Sequence, residues 1–280
     1  MTSKTWVLAA CAALIAFPAH AQTADELIQK NIKAKGGMEK LKGIKSLRAS
    51  GHMLFGPNME APFIMTLKRP NEMRMEFTLQ GMTGIQAYDG KSAWALMPFT
   101  GKKSAEPMSP DETKLVEEQS EFDGPLVDYK AKGTQIEAMG RESVEGVEAY
   151  KLKLTRKNGD IRYVYLDPDA YLEIKSQGKR NIHGTELDVE SSIGDYKDEG
   201  GIMMAHSVES GPAGSTMKQK ITIDKFEINV DVPETAFAMP PASDSTGALP
   251  AAAPSPVITK KETAEAKPAT EKKTTVEKKK

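Results

Sequence analysis

A two-residue alternation of apolar and polar side chains, repeated along most of this 280-residue chain, constrains the fold more than any other feature. The clearest example lies between Glu72 and Gln80, where every second side chain is apolar. Such alternation is typical of a strand with one buried and one solvated face. About eleven or twelve segments of this kind follow one another, and pairs such as Asn158-Gly159 predict tight hairpins between them. The pattern therefore predicts a mainly β protein with one antiparallel sheet that curls and needs a cover on one side.

Two segments without this alternation predict helices. Thr23 and Glu26 have the spacing of a capping box, and Gly36 marks the end of a helix over residues 24–35. Ser109 and Pro110 are typical of a helix start within residues 107–129. Because this second helix interrupts the series of strands, we expect it to lie across the mouth of the sheet. The two helices together are the expected cover.

Both ends of the chain differ in composition from the part between them. Residues 1–21 combine Lys4, an apolar run and a small-residue cleavage site before Gln22, which is the pattern of a secretory signal peptide. Cys11 follows Leu-Ala-Ala, so a lipid-anchored form is an alternative to simple cleavage. Residues 240–280 are rich in Ala, Pro, Thr and Lys, which predicts a disordered tail that is also suited to contact with an anionic membrane surface. The folded domain is expected over residues 22–239.

The composition excludes several functional classes. Cys11 is the only cysteine, so the exported form would have no disulfide, no thiolate metal site and no cysteine nucleophile. The chain carries 38 basic and 39 acidic side chains, a balance unlike that of nucleic-acid-binding proteins. His52, His183 and His206 lack metal-ligand spacing, and no nucleophile elbow or phosphate loop occurs. We therefore expect no catalytic residues, no metal and no cofactor.

The remaining feature is an apolar sheet face that two helices cover. Burial of apolar surface at about 25 cal/mol per Å² is the default driving force for binding an acyl chain. Methionine-rich surfaces adapt to chains of varied length. The same pattern also fits a face that the two helices simply fill, and the residues alone leave both interpretations open.

Five segments, taken in order, resemble the LolA/LolB-like outer-membrane lipoprotein-sorting family. They are Met38–Leu41 after two glycines, Tyr88–Trp94, Met97–Gly101, Tyr165–Asp167 and Phe226–Phe237. The resemblance covers nearly the whole of residues 23–239. It implies an unclosed β-barrel of about eleven antiparallel strands with α-helices plugging the concave face. It also implies carriage of lipoprotein acyl chains between membranes without catalysis, while related members sense or carry other lipids. Arg69 and Arg74 lie near the region of the family's lid-gating arginine, although no motif matches either of them.

The alternation and the resemblance together predict a ligand cavity that excludes water around acyl chains. Its expected lining is Phe63, Met65, Leu67, Met73, Met75, Phe77, Leu79, Trp94 and Leu96, with Leu115 and Phe122 as contacts of the lid helix.

The predicted function is that of a monomeric periplasmic carrier of lipoprotein acyl chains or other lipids toward the outer membrane. A first alternative is a regulatory sensor that binds a partner protein through the same sheet. A second is an envelope hydrolase with an unrecognised site, for which His52 and Asp89 are polar residues at the mouth of the sheet.

Overall fold

The computed structural model describes residues 22–56, 59–182 and 185–241. The predicted signal peptide, Cys11, His183 and the predicted tail from residue 242 onward lie outside the described residues. What the sequence predicts for them therefore stays a prediction.

The described residues form thirteen strands of one antiparallel sheet. In chain order the strands are β1 Ser46–Phe55, β2 Met59–Lys68, β3 Glu72–Leu79, β4 Met82–Tyr88, β5 Ala93–Leu96, β6 Glu106–Pro107, β7 Gln135–Val144, β8 Val147–Thr155, β9 Ile161–Leu166, β10 Glu173–Ile182, β11 Thr185–Asp198, β12 Met203–Pro212 and β13 Gln219–Ile228. The helices are α1 Ala24–Ala34, α2 Met38–Gly43 and α3 Pro110–Gln119, with 3-10 turns at Pro98–Thr100 and Glu234–Ala236. The predicted mainly β, antiparallel architecture is confirmed.

The strand order brings the middle of the chain across the open side of the sheet. Strands β1 to β6 run outward to one edge, and strands β7 to β13 return from the other edge until β13 pairs with β1. The edge strands β6 and β7 do not pair with each other within the described sheet, which is therefore unclosed. The segment that carries α3 connects these two edges.

The register assigns the strand side chains to two faces. On one face Leu47, Leu67 and Met73 lie side by side in β1, β2 and β3. We call this the inner face, because α1 and α3 pack against it. The opposite side is the outer face, on which Arg48 and Arg74 flank Thr66.

Helix α1 is a fixed plug on the inner face of β8 and β9. The predicted capping box is present, because the Thr23 and Glu26 side chains each accept a hydrogen bond from the other's backbone N–H. Leu27, Ile28 and Ile32 are buried against a cluster from these strands. Full burial of one such side chain stabilises by about 1.5–3 kcal/mol, so three of them hold α1 firmly.

The segment after β13 covers the outer face of the other half of the sheet, and we call residues 229–239 the strap. The Asn229 N–H donates to Ser46 O at 2.8 Å, which starts the strap beside β1. At its far end the Trp94 indole N–H donates to Phe237 O at 2.8 Å. Phe237 itself is completely buried. The strap is therefore part of the core and not a loose extension.

The outer face of β10 and β11 carries a carboxylate whose ionisation is coupled to folding. Hydrogen bonds from Lys175 and Lys218 lower the pKa of Glu190 from 4.5 to about 2. A carboxyl group with a depressed pKa stabilises the fold above its unfolded pKa and loses this contribution as the pH falls toward its folded pKa.

We expect wild-type protein to be more stable than Glu190→Gln at pH 6, and the difference to shrink between about pH 5 and pH 2. Urea denaturation across this range measures it. Glu186→Gln, at the exposed ion pair with Lys179, is the control and should show little change. A Glu190→Gln difference that does not depend on pH would contradict the assignment.

Candidate functional site

An apolar cluster follows the inner face of β13, β1, β2 and β3, and we call this strip of the face the trough. Met53, Phe63 and Ile223 are buried at its centre. Partly buried residues flank them, namely Met65, Met75, Phe77, Ile221 and Phe226. At about 3.3 Å per residue, the part of β1 from Leu47 to Phe55 is about 26 Å long. One leaflet of a bilayer has about 15 Å of hydrocarbon, half of the core thickness, so the trough is longer than a lipid acyl chain in its leaflet.

The trough reaches solvent at the end of the strands that is remote from α3. Phe55 and Met59 are paired across the β1–β2 hairpin and are 38% and 46% exposed. Met82, opposite Leu79 at the β3–β4 hairpin on the same side, is 37% exposed. The apolar surface therefore continues from the core to this rim.

Helix α3 covers the other end of the apolar face. It starts with a capping box between Ser109 and Glu112, and Pro110 occupies its first turn. Within α3, all of which the structure describes, Val116 is the only buried residue. Val116 packs in one cluster with Leu67 and Met73. Five of its ten residues are charged, so little apolar contact holds the helix in place.

An ion-pair network anchors the residues that follow α3. The guanidinium of Arg69 donates from both terminal nitrogens to the carboxylate of Asp123, with an Nη1–Oδ2 distance of 2.7 Å. It also donates to Ile44 O at 2.6 Å and to Leu41 O at 2.9 Å, and it lies 4.5 Å from the centre of the Phe122 ring. Arg69 therefore joins α2, the β2–β3 turn and the segment that follows α3.

The ionisation of Asp123 is tied to this network. Burial acts to raise its pKa, but hydrogen bonds from Arg69 and Lys42 outweigh burial, and the pKa lies below the usual value of 3.8. Asp123 is therefore a stable anion at neutral pH, and the bidentate pair stays charged.

A second set of ion pairs joins α3 to the opposite half of the sheet. Glu118 Oε2 accepts from Arg162 of β9 at 3.1 Å, and its Oε1 lies 3.6 Å from Arg156 Nη1. Arg156 also lies 3.3 Å from Glu121. Burial lowers the pKa of Arg162; Glu118 acts against this effect, and the nearby Arg156 and Arg180 add to it. Helix α3 thus bridges the two halves of the inner face.

Cavities lie along the flank of α3 and around the β8–β9 turn. A cavity of about 450 Å³ is lined by residues of α3 and by charged side chains that include Lys132, Arg156 and Lys157. A small cavity of about 30 Å³ shares Glu118 and Arg156 with it and extends to Arg162 and beyond. Another of about 490 Å³ lies next to the small one, between the β8–β9 turn and the β10–β11 hairpin. The first two cavities form a charged groove beside α3 on the inner face, whereas the third opens on the outer face, where Tyr163, Gln177 and Lys179 lie.

The structure brings most of the predicted lining residues together. The residues that share the inner face are Phe63, Met65, Leu67, Met73, Met75, Phe77 and Leu79. Leu67 and Met73 are covered by Val116 of α3. Phe122 packs against the same cluster and also lines the 450 Å³ cavity. Leu115 is half-buried, and Val116 supplies the buried contact of the helix instead.

Trp94 and Leu96 were assigned to the wrong face. The register pairs Trp94 with Ala87 and Leu96 with Ile85, and these residues form a separate cluster on the outer face, beneath the strap. The inner-face residues of β5 are Ala93 and Ala95. Every residue of β5 is apolar, so its sequence does not show which side chains face inward.

The sequence analysis did not predict the ion pairs of α3 and of the segment that follows it. Arg69 and Asp123 are 54 positions apart. Glu118 and Arg162 are 44 positions apart. No local pattern links such pairs. The one available signal was an arginine at a turn between two apolar strands, close to where the resemblance expects one.

Asp89 and His52, the polar residues named for the hydrolase alternative, are engaged in contacts within the fold. Asp89 accepts hydrogen bonds from the backbone N–H groups of Lys91 and Ser92, as expected for a turn. His52 lies 2.9 Å from Asp224 on the outer face, away from the trough. Among the residues that the structure describes, no cluster of three or more acidic, histidine or cysteine side chains has a metal-binding arrangement. None of the described helices combines the length and the apolar character of a membrane span.

Solved structures with the same architecture identify the fold. A LolA superfamily protein from Nitrosomonas europaea superposes with a TM-score of 0.53 at 12% identity, over 78% of this chain and 98% of that one. The chain has a LolA-like fold. A DUF1329 family protein from Desulfovibrio piger matches with a TM-score of 0.52 at 8% identity, over 76% of this chain and 96% of that one. An outer membrane lipoprotein-sorting protein domain from Vibrio parahaemolyticus gives 0.49 at 12% identity, over 75% and 97%. No protein-family model and no curated protein matches the sequence.

Proposed function

We propose that this LolA-like protein is a non-enzymatic periplasmic carrier that shelters the acyl chains of lipids or lipoproteins in the apolar trough. The observation that carries the proposal is the contrast between the two helices on the inner face. Helix α1 buries three aliphatic side chains, whereas α3 buries Val116 alone and is otherwise held by ion pairs. We infer that α1 stays in place on the inner face, whereas α3 can move away from it.

The energies favour exchange of the lid for a ligand. Uncovering Val116 costs about 1.5–3 kcal/mol, and burying one methylene of an acyl chain returns about 0.8 kcal/mol. Partly exposed ion pairs such as Glu118–Arg162 contribute about 0–1 kcal/mol each. An acyl chain with more than about six buried methylenes therefore offsets opening of the lid.

Direct analysis of the purified protein tests the proposal. The mature protein is isolated from cell envelopes, and its organic extract is analysed by mass spectrometry. We expect co-purifying lipid and saturable uptake of a fluorescent fatty acid. If neither is found, the carrier function is wrong.

Removal of the Arg69 anchor is expected to loosen the lid. Arg69→Ala breaks a bidentate, partly exposed ion pair with Asp123, so we expect about fivefold faster release of a fluorescent acyl probe. Stopped-flow fluorescence measures the release rate. Arg48→Ala, on the outer face, is the control and should leave the rate unchanged. Equal rates for wild type and Arg69→Ala would show that this network does not restrain α3.

A sensor that binds a partner protein is the second candidate, and one observation favours it. Edge strand β7 is exposed at eight of its ten positions, and within the described sheet it pairs with β8 alone. An edge of this kind can add a strand from a partner. A pull-down from envelopes that returns a single regulator, with no bound lipid, would support the sensor over the carrier.

A further inference from the structure

We propose that the ligand of this protein is a lipid with a phosphate group, and that Arg162 and Arg180 bind the phosphate in place of Glu118. The inference rests on the proposed carrier function and names the class of lipid that it serves. In the structure, the Glu118 carboxylate of α3 occupies the position beside Arg162 that the phosphate would take.

The register places the two arginines around a gap in the inner face. Arg162 of β9 lies directly opposite Gly178 of β10, and Arg180 is the next inner-face residue of β10. The strands approach closely at Gly178, because a Cβ atom added there would lie only 3.3 Å from Ile161 O. The absence of a side chain therefore leaves this point of the inner face clear. The small cavity of about 30 Å³ occupies this position, and Arg162 and Arg180 both line it.

The charged residues that line the gap do not balance, because Arg156, Arg162, Lys179 and Arg180 outnumber Glu118 and Asp160. Glu118 contacts Arg162 at 3.1 Å and Arg156 at 3.6 Å, and Glu121 shares Arg156. Arg180 forms no ion pair with any described residue. The burial that disfavours a bare charge on Arg162 makes an additional anion favourable here. A second anionic charge therefore has a place beside the one that Glu118 supplies.

A phosphate fits this arrangement better than a single carboxylate. A phosphate ester carries up to two negative charges and several acceptor oxygens, and arginine binds it with two parallel hydrogen bonds. Ser176 and Ser191 also line the gap; the Ser176 hydroxyl can donate to such an oxygen, and the Ser191 hydroxyl is hydrogen-bonded to that of Ser210. The 450 Å³ cavity shares Glu118 and Arg156 with the gap, so a headgroup has room beside α3. When the lid lifts, Glu118 leaves, and a lipid with its chain in the trough brings the replacement anion.

Two ligands with the same acyl chain separate the headgroup from the chain. Dodecyl phosphate and dodecyl maltoside are titrated below their micellar concentrations into wild type, Arg162→Gln, Glu118→Gln and the outer-face control Arg48→Gln. We expect Arg162→Gln to weaken dodecyl phosphate binding about tenfold and to leave dodecyl maltoside unchanged. Glu118→Gln should favour dodecyl phosphate over dodecyl maltoside more strongly than wild type does. Arg48→Gln should bind both ligands as wild type does.

The remaining outcomes distinguish this inference from the carrier proposal. Equal loss of both ligands in Arg162→Gln, or no preference of wild type for the phosphate, overturns the headgroup site and leaves the carrier function intact. Failure of wild type to bind either ligand overturns the carrier function itself. Inorganic phosphate is titrated in parallel, and binding as tight as that of dodecyl phosphate would assign the site to free phosphate and overturn the lipid.

Discussion

Replacement of Phe237 by alanine is expected to lower the free energy of unfolding by about 3–5 kcal/mol. Phe237 belongs to the strap, which covers the outer face of the sheet, and its side chain is completely buried. Its backbone carbonyl accepts the indole hydrogen bond of Trp94 at 2.8 Å, and Arg74 donates to the neighbouring Ala236 O at 3.0 Å. The cavity left by a benzyl group cannot collapse easily, because hydrogen bonds hold the strap at Phe237 and at the residue before it.

Urea denaturation followed by circular dichroism measures the loss, and Met239→Ala is the matched control. Met239 lies two residues further along the strap and is 46% exposed, so its replacement should change stability by less than about 0.5 kcal/mol. A Phe237→Ala protein as stable as Met239→Ala would show that the strap is not part of the cooperative unit. The folded domain would then end at β13.

The alternation of side chains was sufficient to find the sheet. Twelve of the strands correspond to segments with a two-residue period or adjacent apolar runs, and the addition is β6. Strand β6 has only two residues, Glu106 and Pro107, which is too short to show any period. The capping box at Thr23 and the capping serine with proline at Ser109-Pro110 also predicted where α1 and α3 begin. Local patterns thus fixed the elements, because each of these signals acts within a few residues.

Tertiary contacts decided what local patterns left open. Trp94 and Leu96 belong to a wholly apolar strand, and only the strap made one face of that strand an outer core. Gly51 shows the same limit, since a Cβ there would lie 2.0 Å from Thr222 O. The reason is a bulge between β1 and β13, strands that are far apart in the sequence. Alternation alone does not report such a close approach.

The candidate site divides in the same way. Its apolar residues follow from strand periodicity, because Phe63, Met75 and Phe77 occupy alternate positions of paired strands. Its charged residues come from elements that meet only in the folded chain, as Glu118 of α3 and Arg162 of β9 do. The chain has 38 basic and 39 acidic side chains, so the sequence alone does not show which of them form ion pairs. The ion pairs at the site form because the fold places α3 across the sheet.

Introduction of a carboxylate at Met75 is expected to reduce affinity for an acyl-chain probe by at least about 100-fold. Met75 is partly buried in the middle of the trough, between Met65 and Gln86 on the neighbouring strands. In Met75→Glu a bound chain would strip water from an ionised group without supplying a hydrogen bond, at a cost of several kcal/mol. The free protein keeps solvent access at this position, so its stability should fall far less than its affinity.

Displacement of a fluorescent acyl probe by dodecyl maltoside measures the effect, and Thr78→Glu supplies the matched control. Thr78 belongs to the same strand but faces the other way, opposite Thr83. Its variant carries the same added charge and should bind as wild type does. An unchanged melting temperature with lost binding in Met75→Glu alone places the hydrocarbon in the trough. Retained binding would instead place the ligand in the charged groove beside α3, where a carboxylate on β3 has no effect. Helix α3 would then cover part of the hydrophobic core and not a ligand site.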